Sequence, residues 1–213
     1  MKKIREDLWQ TPLEKEGGVN NCSYLLLKPE GNVLFYKAPD AATFEQISKL
    51  GGIEYQVLSH RHEADPSPEV IRKTFGARLC CDVLESEEIK QTSQVDVVFG
   101  PTDEALDDIE IIHTPGHTQG GISCLYKSPH GEVYLFSGDT MIPVNDQWIA
   151  QIVPEHGGDA ALLTKSLLQM RDIKPDLVLS SASVGERSVV DVEHGDWYRA
   201  VERTAERPPI GAI

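Results

Sequence analysis

The sequence lacks the features that direct a chain into or across a membrane. Its first ten residues, MKKIREDLWQ, carry charges, but no apolar run follows them, so we do not expect a signal peptide. No apolar run approaches the ~20 residues that a helix needs to span a bilayer. These absences predict a soluble, cytoplasmic protein that does not bind membranes.

Positive charge is also scarce. The 213 residues include 20 Lys and Arg against 34 Asp and Glu, which gives a formal net charge of -14. Such a surface repels a phosphate backbone, and the sequence contains no cluster of basic residues that would offset this repulsion. We therefore expect no nucleic-acid partner and predict that the protein acts on a small molecule.

Cysteines are few, and their spacing is uninformative for metal or disulfide chemistry. The four are Cys22, Cys80, Cys81 and Cys124, and no two form a C-x-x-C pair. Cys80 and Cys81 are adjacent, which strains an ordinary disulfide between them. The pattern predicts reduced thiols with a structural role.

No internal repeat and no linker of distinct composition divides the chain, so we predict a single domain over residues 1–213. Apolar runs of strand length interleave with segments of helical periodicity. Residues 23–27 and 32–36 are expected to form an antiparallel pair, and Asp159 to cap a helix that contains Leu163 and Met170. Residues 141–158 are expected to be irregular. The order of elements favours two packed sheets covered by helices.

Four polar side chains follow directly on predicted strands. His60 and His62 come after one strand, His117 lies in a Pro-Gly loop after another, and Asp139 follows a third. Because strand ends at one edge of a sheet converge, these side chains could meet. Imidazole and carboxylate groups are suitable ligands for zinc, iron or manganese. Residues two apart on an extended segment point the same way, so His60 and His62 are expected to face one ion while Arg61 points elsewhere.

Several motifs together resemble the metallo-β-lactamase superfamily, which includes glyoxalase II, lactonases and arylsulfatases. The matching segments are Asn-Asn-Cys-Ser-Tyr-Leu at 20–25, Ser-His-Arg-His-Glu-Ala-Asp at 59–65, Thr-Pro-Gly-His-Thr-Gln-Gly at 114–120, Phe-Ser-Gly-Asp-Thr at 136–140 and Pro-Asp-Leu-Val-Leu at 175–179. The resemblance implies an α/β (α+β) fold class, namely a four-layer αβ/βα sandwich of two mixed β-sheets flanked by helices, with metals at one edge.

The departures from the family pattern fall at the ligands of the second metal. Ala64 stands where the family has Asp, and Asp65 stands where it has the following His. The last family His corresponds to the segment Ser180-Ser181-Ala182-Ser183, in which Ala182 replaces it. By the resemblance, His60, His62 and His117 would hold the first metal, with Asp139 as the carboxylate ligand. A single ion, most simply Zn²⁺ with Fe or Mn as alternatives, is therefore expected.

The resemblance leaves the catalytic carboxylate open, with Asp139 and Asp65 as the first candidates. Ala64 removes the residue that usually orients the nucleophile, and Asp65, Glu63 or Asp139 could take its role. Asp65 also precedes Pro66-Ser67-Pro68, where it would serve as a helix cap. Glu63 is expected to be solvated.

Three functions fit these residues. The first is a metal-dependent hydrolase acting on an ester, thioester, lactone or phosphoester. The second is a non-catalytic descendant that binds a ligand or partner, suggested by Ala64 and Ala182. The third is a mononuclear iron dioxygenase acting on a persulfide-type substrate, in which His60, His117 and Asp139 would bind the iron. Composition does not distinguish among them.

Overall fold

A computed structural model describes the chain except for Gly17, Ala38, Glu104, Glu186, Pro208, Ala212 and Ile213, and except for the side chains of Ala41 and His194. The described residues fall into two compact units. One comprises Met1–Glu14 and Cys22–Gly100, and the other comprises Lys15–Asn21 and Pro101–Ile213. We call them unit 1 and unit 2.

Short strands dominate the described residues. In chain order they are β1 (Lys2–Lys3), β2 (Leu8–Gln10), β3 (Glu14–Glu16), β4 (Val19–Asn21), β5 (Tyr24–Leu26), β6 (Val33–Phe35), β7 (Tyr55–Val57), β8 (Arg78–Asp82), β9 (Val97–Phe99), β10 (Ala105–Leu106), β11 (Ile109–His113), β12 (Ile122–Lys127), β13 (Val133–Gly138), β14 (Ile142–Val144), β15 (Gln147–Ile149), β16 (Gln151–Ile152), β17 (Leu177–Ser180), β18 (Ala182–Ser183), β19 (Val189–Asp191) and β20 (Ile210–Gly211).

The α-helices among the same residues are α1 (Phe44–Lys49), α2 (Ser67–Phe75), α3 (Val83–Ile89), α4 (Ala160–Met170) and α5 (His194–Ala205). Short 3₁₀ helices cover Ala41–Thr43, Arg61–Glu63 and Pro154–His156.

Unit 1 is built on a mixed sheet with the strand order β1-β2-β5-β6-β7-β8-β9 over its described residues. β5 and β6 pair antiparallel, as predicted. The next three pairs, β6–β7, β7–β8 and β8–β9, are parallel. Parallel strands end at the same edge of a sheet, so the segments after β6 and β7 emerge side by side. The residue after β7 is Leu58, and Ser59 and His60 follow it.

Unit 2 contains a second mixed sheet, in the order β10-β11-β12-β13-β17-β19 where the structure describes it. β11, β12 and β13 are successive antiparallel partners, and β13 pairs parallel with β17. β11, β13 and β17 therefore all end at one edge. The segments that leave this edge carry His117, Asp139 and Ser181, respectively.

Each unit has its own apolar core. In unit 1, Leu25, Leu34 and Ile47 belong to one buried cluster. In unit 2, α4 and α5 pack through a cluster that contains Leu163, Met170 and Trp197, and the Trp197 indole donates a hydrogen bond of 3.0 Å to the Met170 carbonyl. Burial of an aromatic side chain and pairing of its N–H act together to fix α5 against α4.

The segment predicted to be irregular, residues 141–158, is largely ordered, and that prediction was wrong. β14 and β15 form a hairpin in which Val144 pairs with Gln147. Asn145, at the turn, has a φ of 54°, which asparagine adopts more readily than most residues. Pro143 made the segment resemble a loop, but proline is tolerated in a strand at a sheet edge, and this two-stranded sheet has no central strand.

The described helices include none that is both long and apolar enough to cross a membrane. The four cysteines are free and buried, in agreement with the expected structural thiols. Burial, together with the charge of the neighbouring Asp82 carboxylate, raises the pKa of the Cys81 thiol to about 12. This thiol is therefore unreactive near neutral pH.

Candidate metal centre

The first two histidines lie where β7 ends, but they are not on one extended segment. His60 is extended, with φ -165° and ψ 171°, whereas His62 lies in the 3₁₀ turn Arg61–Glu63. The expected strand alternation therefore stops at His60. The turn nevertheless brings the imidazoles together, with ring centroids 5.0 Å apart and ring planes at 86°.

Arg61 points away from the two imidazoles, as predicted, and fixes the turn to α3. Its backbone N–H and its Nε both donate to Glu85 Oε2, at 3.1 and 2.5 Å, and Nη1 donates to Glu88 at 2.6 Å. Glu85 is fully buried. Burial by itself lowers the pKa of Arg61, but the hydrogen bonds and charges of the two glutamates outweigh it and leave the pKa raised. The guanidinium is therefore permanently charged and paired.

Glu63 is buried, with 5% of its surface exposed, so the prediction that it is solvated was wrong. Ser59 donates to it twice, from its backbone N–H at 2.7 Å and from its hydroxyl at 2.6 Å. Glu63 is the last residue of the 3₁₀ turn, and the turn brings its carboxylate back to Ser59. No periodic pattern in the sequence predicts this turn.

Asp65 lies just before α2. Its Oδ1 accepts the Ser67 backbone N–H at 2.7 Å and the Ser67 hydroxyl, and its Oδ2 lies 3.6 Å from Lys37 Nζ. Both carboxylate oxygens thus have polar neighbours within unit 1. The N-cap of α2 is Pro66, so the prediction that Asp65 caps the helix was wrong by one residue, although Asp65 does accept the Ser67 N–H.

His117 lies in a loop in which the preceding residue has to be glycine. Gly116 has a φ of +133°, and a Cβ at this position would lie 2.3 Å from the Leu163 backbone. The loop thus lies directly against the first turn of α4, whose N-cap is Asp159. His117 Nδ1 is 3.1 Å from the Gln151 carbonyl oxygen. Since a carbonyl only accepts, Nδ1 carries the proton, and the lone pair of the neutral ring is on Nε2.

Asp139 lies beside this ring. Its Oδ2 is 3.8 Å from His117 Nε2, which is too far for a hydrogen bond. Zinc binds nitrogen and oxygen ligands at about 2.0–2.2 Å, so two ligands of one ion lie at most about 4.3 Å apart. The other carboxylate oxygen, Oδ1, accepts a hydrogen bond from the Ser181 hydroxyl. The pair therefore has a separation that fits shared ligation of one ion.

Hydroxyl groups connect the two turns that carry this pair. Thr114 Oγ1, at the start of the His117 loop, lies 3.0 Å from Thr140 Oγ1, which follows Asp139, and 3.1 Å from Ser123 Oγ. All three hydroxyls are buried. Buried hydroxyls that satisfy one another fix the turns to which they belong.

Three of the four predicted metal ligands form one cluster. One ligand atom from each of His60, His62 and His117 lies within 4.8 Å of the others, and the cluster is limited to these side chains in the part of the chain that the structure describes. His60 and His117 are buried, and His62 is exposed. Three imidazoles are the donor set of an open catalytic zinc site, so these residues could hold a metal ion.

Comparison with known families agrees with this donor set. The family model of the metallo-β-lactamase superfamily matches residues 59–181, which run from Ser59, before the first histidine, to Ser181. This chain belongs to the metallo-β-lactamase superfamily.

Sequence relatives within the superfamily are distant. A probable metallo-hydrolase of Methanocaldococcus jannaschii is 28% identical over 136 residues, which cover 59% of this chain and 64% of the relative. The uncharacterized protein YmaE of Bacillus subtilis is 26% identical over 155 residues, which cover 70% of this chain and 56% of that protein. The chain thus matches about three-fifths of the length of these curated relatives.

Solved metallo-β-lactamases share the fold over nearly the whole chain. An enzyme from Pontibacter korlensis superposes with a TM-score of 0.72 at 18% identity, covering 96% of this chain and 95% of its own. The enzyme FIM-1 of Pseudomonas aeruginosa, solved in its mono-zinc form, gives a TM-score of 0.71 at 15% identity, covering 97% and 96%. The predicted metallo-β-lactamase fold class, with mixed sheets flanked by helices, is confirmed.

The residues that the sequence resemblance assigns to the second-metal positions make structural contacts. Ala64 packs against an apolar cluster that includes Leu58, Leu79 and Ile89. Ala182 lies in β18, paired with Asn21. Ser181 donates to Asp139, and Ser180 donates to the Gly138 carbonyl at 3.0 Å. These side chains carry hydroxyl and methyl groups and no imidazole.

Proposed function

We propose that this chain is a mononuclear metal-dependent hydrolase, with one ion, most simply Zn²⁺, held by His60, His62 and His117. The proximity of the three imidazole ligand atoms carries the proposal. Family membership supports it, as does the probable metallo-hydrolase assignment of the archaeal relative. The mono-zinc form of the Pseudomonas enzyme supports a single ion, because a protein of this fold can be isolated with one zinc.

In this proposal the residues of the chain have separate tasks. The imidazoles supply neutral nitrogen ligands, and Gln151 holds the His117 ring with Nε2 available. Asp139, oriented by Ser181, completes the ligand set or accepts the proton of the attacking water. A bound zinc ion would make water acidic enough to ionise near neutral pH and would polarise a carbonyl or phosphoryl oxygen.

Asp65 is the alternative proton acceptor. Its bonds to Ser67 and its approach to Lys37 favour a role at the start of α2, and they make Asp139 our first choice for the catalytic carboxylate. The net charge of -14 favours a small-molecule substrate over nucleic acid, and the four buried, free cysteines fit a reducing compartment such as the cytoplasm.

A screen with the zinc-loaded chain tests the hydrolase activity and the choice of carboxylate together. Nitrophenyl esters, thioesters, lactones and phosphoesters are the substrates that fit the proposed chemistry. We expect turnover above the metal-free chain for at least one of them. Asp139→Asn should lower kcat by roughly 10²–10⁴-fold, the usual contribution of a general base. Asp65→Asn should have a much smaller effect.

The matched asparagine variants keep the side-chain size and remove one charge each. A larger loss of kcat from Asp65→Asn than from Asp139→Asn would identify Asp65 as the proton acceptor. No turnover of any substrate, with metal bound, would favour a non-catalytic binding protein, for which the apolar surroundings of Ala64 are the motivating observation. Iron in place of zinc in the purified chain, with oxygen uptake, would favour the dioxygenase.

A further inference from the structure

Glu63 is a buried carboxylate beside a metal ligand that the proposed chemistry does not use. It ends the 3₁₀ turn Arg61–Glu63, and only 5% of its surface is exposed. A buried carboxylate is costly unless hydrogen bonds compensate it. Ser59 supplies two of them, from its N–H to Oε2 at 2.7 Å and from its hydroxyl to Oε1 at 2.6 Å.

The same Ser59 hydroxyl lies 3.0 Å from His60 Nδ1. A serine hydroxyl has one proton, and here that proton is directed to Glu63 Oε1. Towards His60, Ser59 Oγ therefore acts as an acceptor, so Nδ1 must carry the hydrogen. Glu63 Oε1 is itself 3.5 Å from the same nitrogen, and its charge favours a proton there.

The geometry points to Glu63 as a positioning residue that orients His60, through Ser59, with Nε2 available to a metal ion. In a neutral imidazole with the proton on Nδ1, the lone pair is on Nε2. Outer hydrogen bonds of this kind fix the tautomer and ring orientation of a metal-ligating histidine and raise its basicity. This inference rests on the proposed function for the identity of His60 as a ligand.

Glu85, a second buried glutamate near the His60–His62 turn, pairs with a cation. Glu85 is fully buried as well, but it lies against the Arg61 guanidinium, with 2.5 Å between Glu85 Oε2 and Arg61 Nε. Its charge is compensated by a cation. The Glu63 carboxylate is instead directed at a hydroxyl and an imidazole, which are the groups that a relay to a metal ligand requires.

The experiment has two readouts. Long-range ¹H–¹⁵N spectra of the metal-free chain, with His60 assigned through a His60→Asn variant, report which ring nitrogen carries the proton. Competition with a chelator reports the affinity for zinc. We expect the Nδ1–H tautomer in the native chain, a shift towards Nε2–H in Glu63→Gln, and zinc affinity about 10–100-fold lower in Glu63→Gln and Ser59→Ala. Ser59→Thr, which restores the hydroxyl, should recover most of the affinity.

Glu87→Gln is the control for loss of one carboxylate, because Glu87 lies on the exposed side of α3 with 86% of its side chain accessible. Thermal unfolding of each metal-free variant establishes that it folds. Nε2–H as the tautomer of His60 in the native chain would overturn the inference, as would native zinc affinity in a folded Glu63→Gln. If no variant and no native chain binds metal, the proposed function fails, while the tautomer still decides whether Glu63 orients His60.

Discussion

Replacing His117 with alanine should weaken zinc binding by more than about 100-fold. Loss of an outer hydrogen-bond partner alone costs up to about that much, and His117 is proposed to contact the ion directly. The Gln151 carbonyl fixes the ring at Nδ1, which leaves the Nε2 lone pair for the ion, and alanine has no such ligand atom. Equilibrium competition between the metal-free protein and a chelator measures the effect.

His130→Ala is the matched control for this variant. His130 lies in the exposed turn between β12 and β13 and is not a member of the histidine cluster among the described residues. Its replacement should leave zinc affinity within about two-fold, as expected for a surface substitution. If His117→Ala and His130→Ala bound zinc equally well, His117 would not be a ligand.

Removing the Glu85 carboxylate should be the most destabilising change near the His60–His62 turn. Glu85→Ala leaves Arg61, whose side chain is only 9% exposed, without its principal partner. Breaking a buried ion pair from one side typically costs about 3–5 kcal/mol. In a chain of this size each kcal/mol lowers the unfolding midpoint by roughly 2–4 °C. Calorimetry and urea unfolding of the metal-free protein measure both quantities.

Two neighbouring glutamates serve as controls for the stability lost in Glu85→Ala. Glu88 also contacts Arg61, but 44% of its side chain is exposed, so Glu88→Ala should cost about 1 kcal/mol or less. Glu87 pairs with Lys90 on the surface, and Glu87→Ala should leave the unfolding midpoint of the native chain unchanged. A loss below about 1 kcal/mol in Glu85→Ala would mean that the Arg61–Glu85 pair does not fix the turn to α3.

The elements that the sequence predicted best are those whose cause is local. The antiparallel pair β5–β6 follows from two apolar runs around a Pro-Glu-Gly-Asn turn. The start of α4 follows from Asp159, which accepts the Leu162 N–H at 2.8 Å. Both depend on residues close together in the chain, where propensity and capping rules apply directly.

The elements that were predicted incorrectly depend on contacts that no periodic pattern reveals. The segment of the hairpin β14–β15 contains Pro143. Because proline normally disfavours strands, the sequence predicts a loop there. Glu63 was expected in solvent, since a glutamate next to two histidines has no apolar periodicity to bury it. Its burial depends on a single 3₁₀ turn that directs the carboxylate back to Ser59, four residues earlier.

The histidine cluster could be predicted because metal ligands tolerate few substitutes. Imidazoles after successive strand ends are uncommon in combination, and the motifs around His60, His62 and His117 agree with one superfamily. The residues expected in place of the second metal site could be named from the same motifs. Their present contacts, such as the bond from Ser181 to Asp139, required the structure.

The number of zinc ions bound per chain decides whether the protein has a single metal site. The chain, purified without an affinity tag, would be freed of metal, incubated with excess zinc and separated from unbound ions before metal and protein are quantified. We expect one zinc per chain, because three histidines would hold one ion and Ala64 and Ala182 provide no ligand for another. Two zinc ions per chain, or none, would show that the proposed single site is wrong.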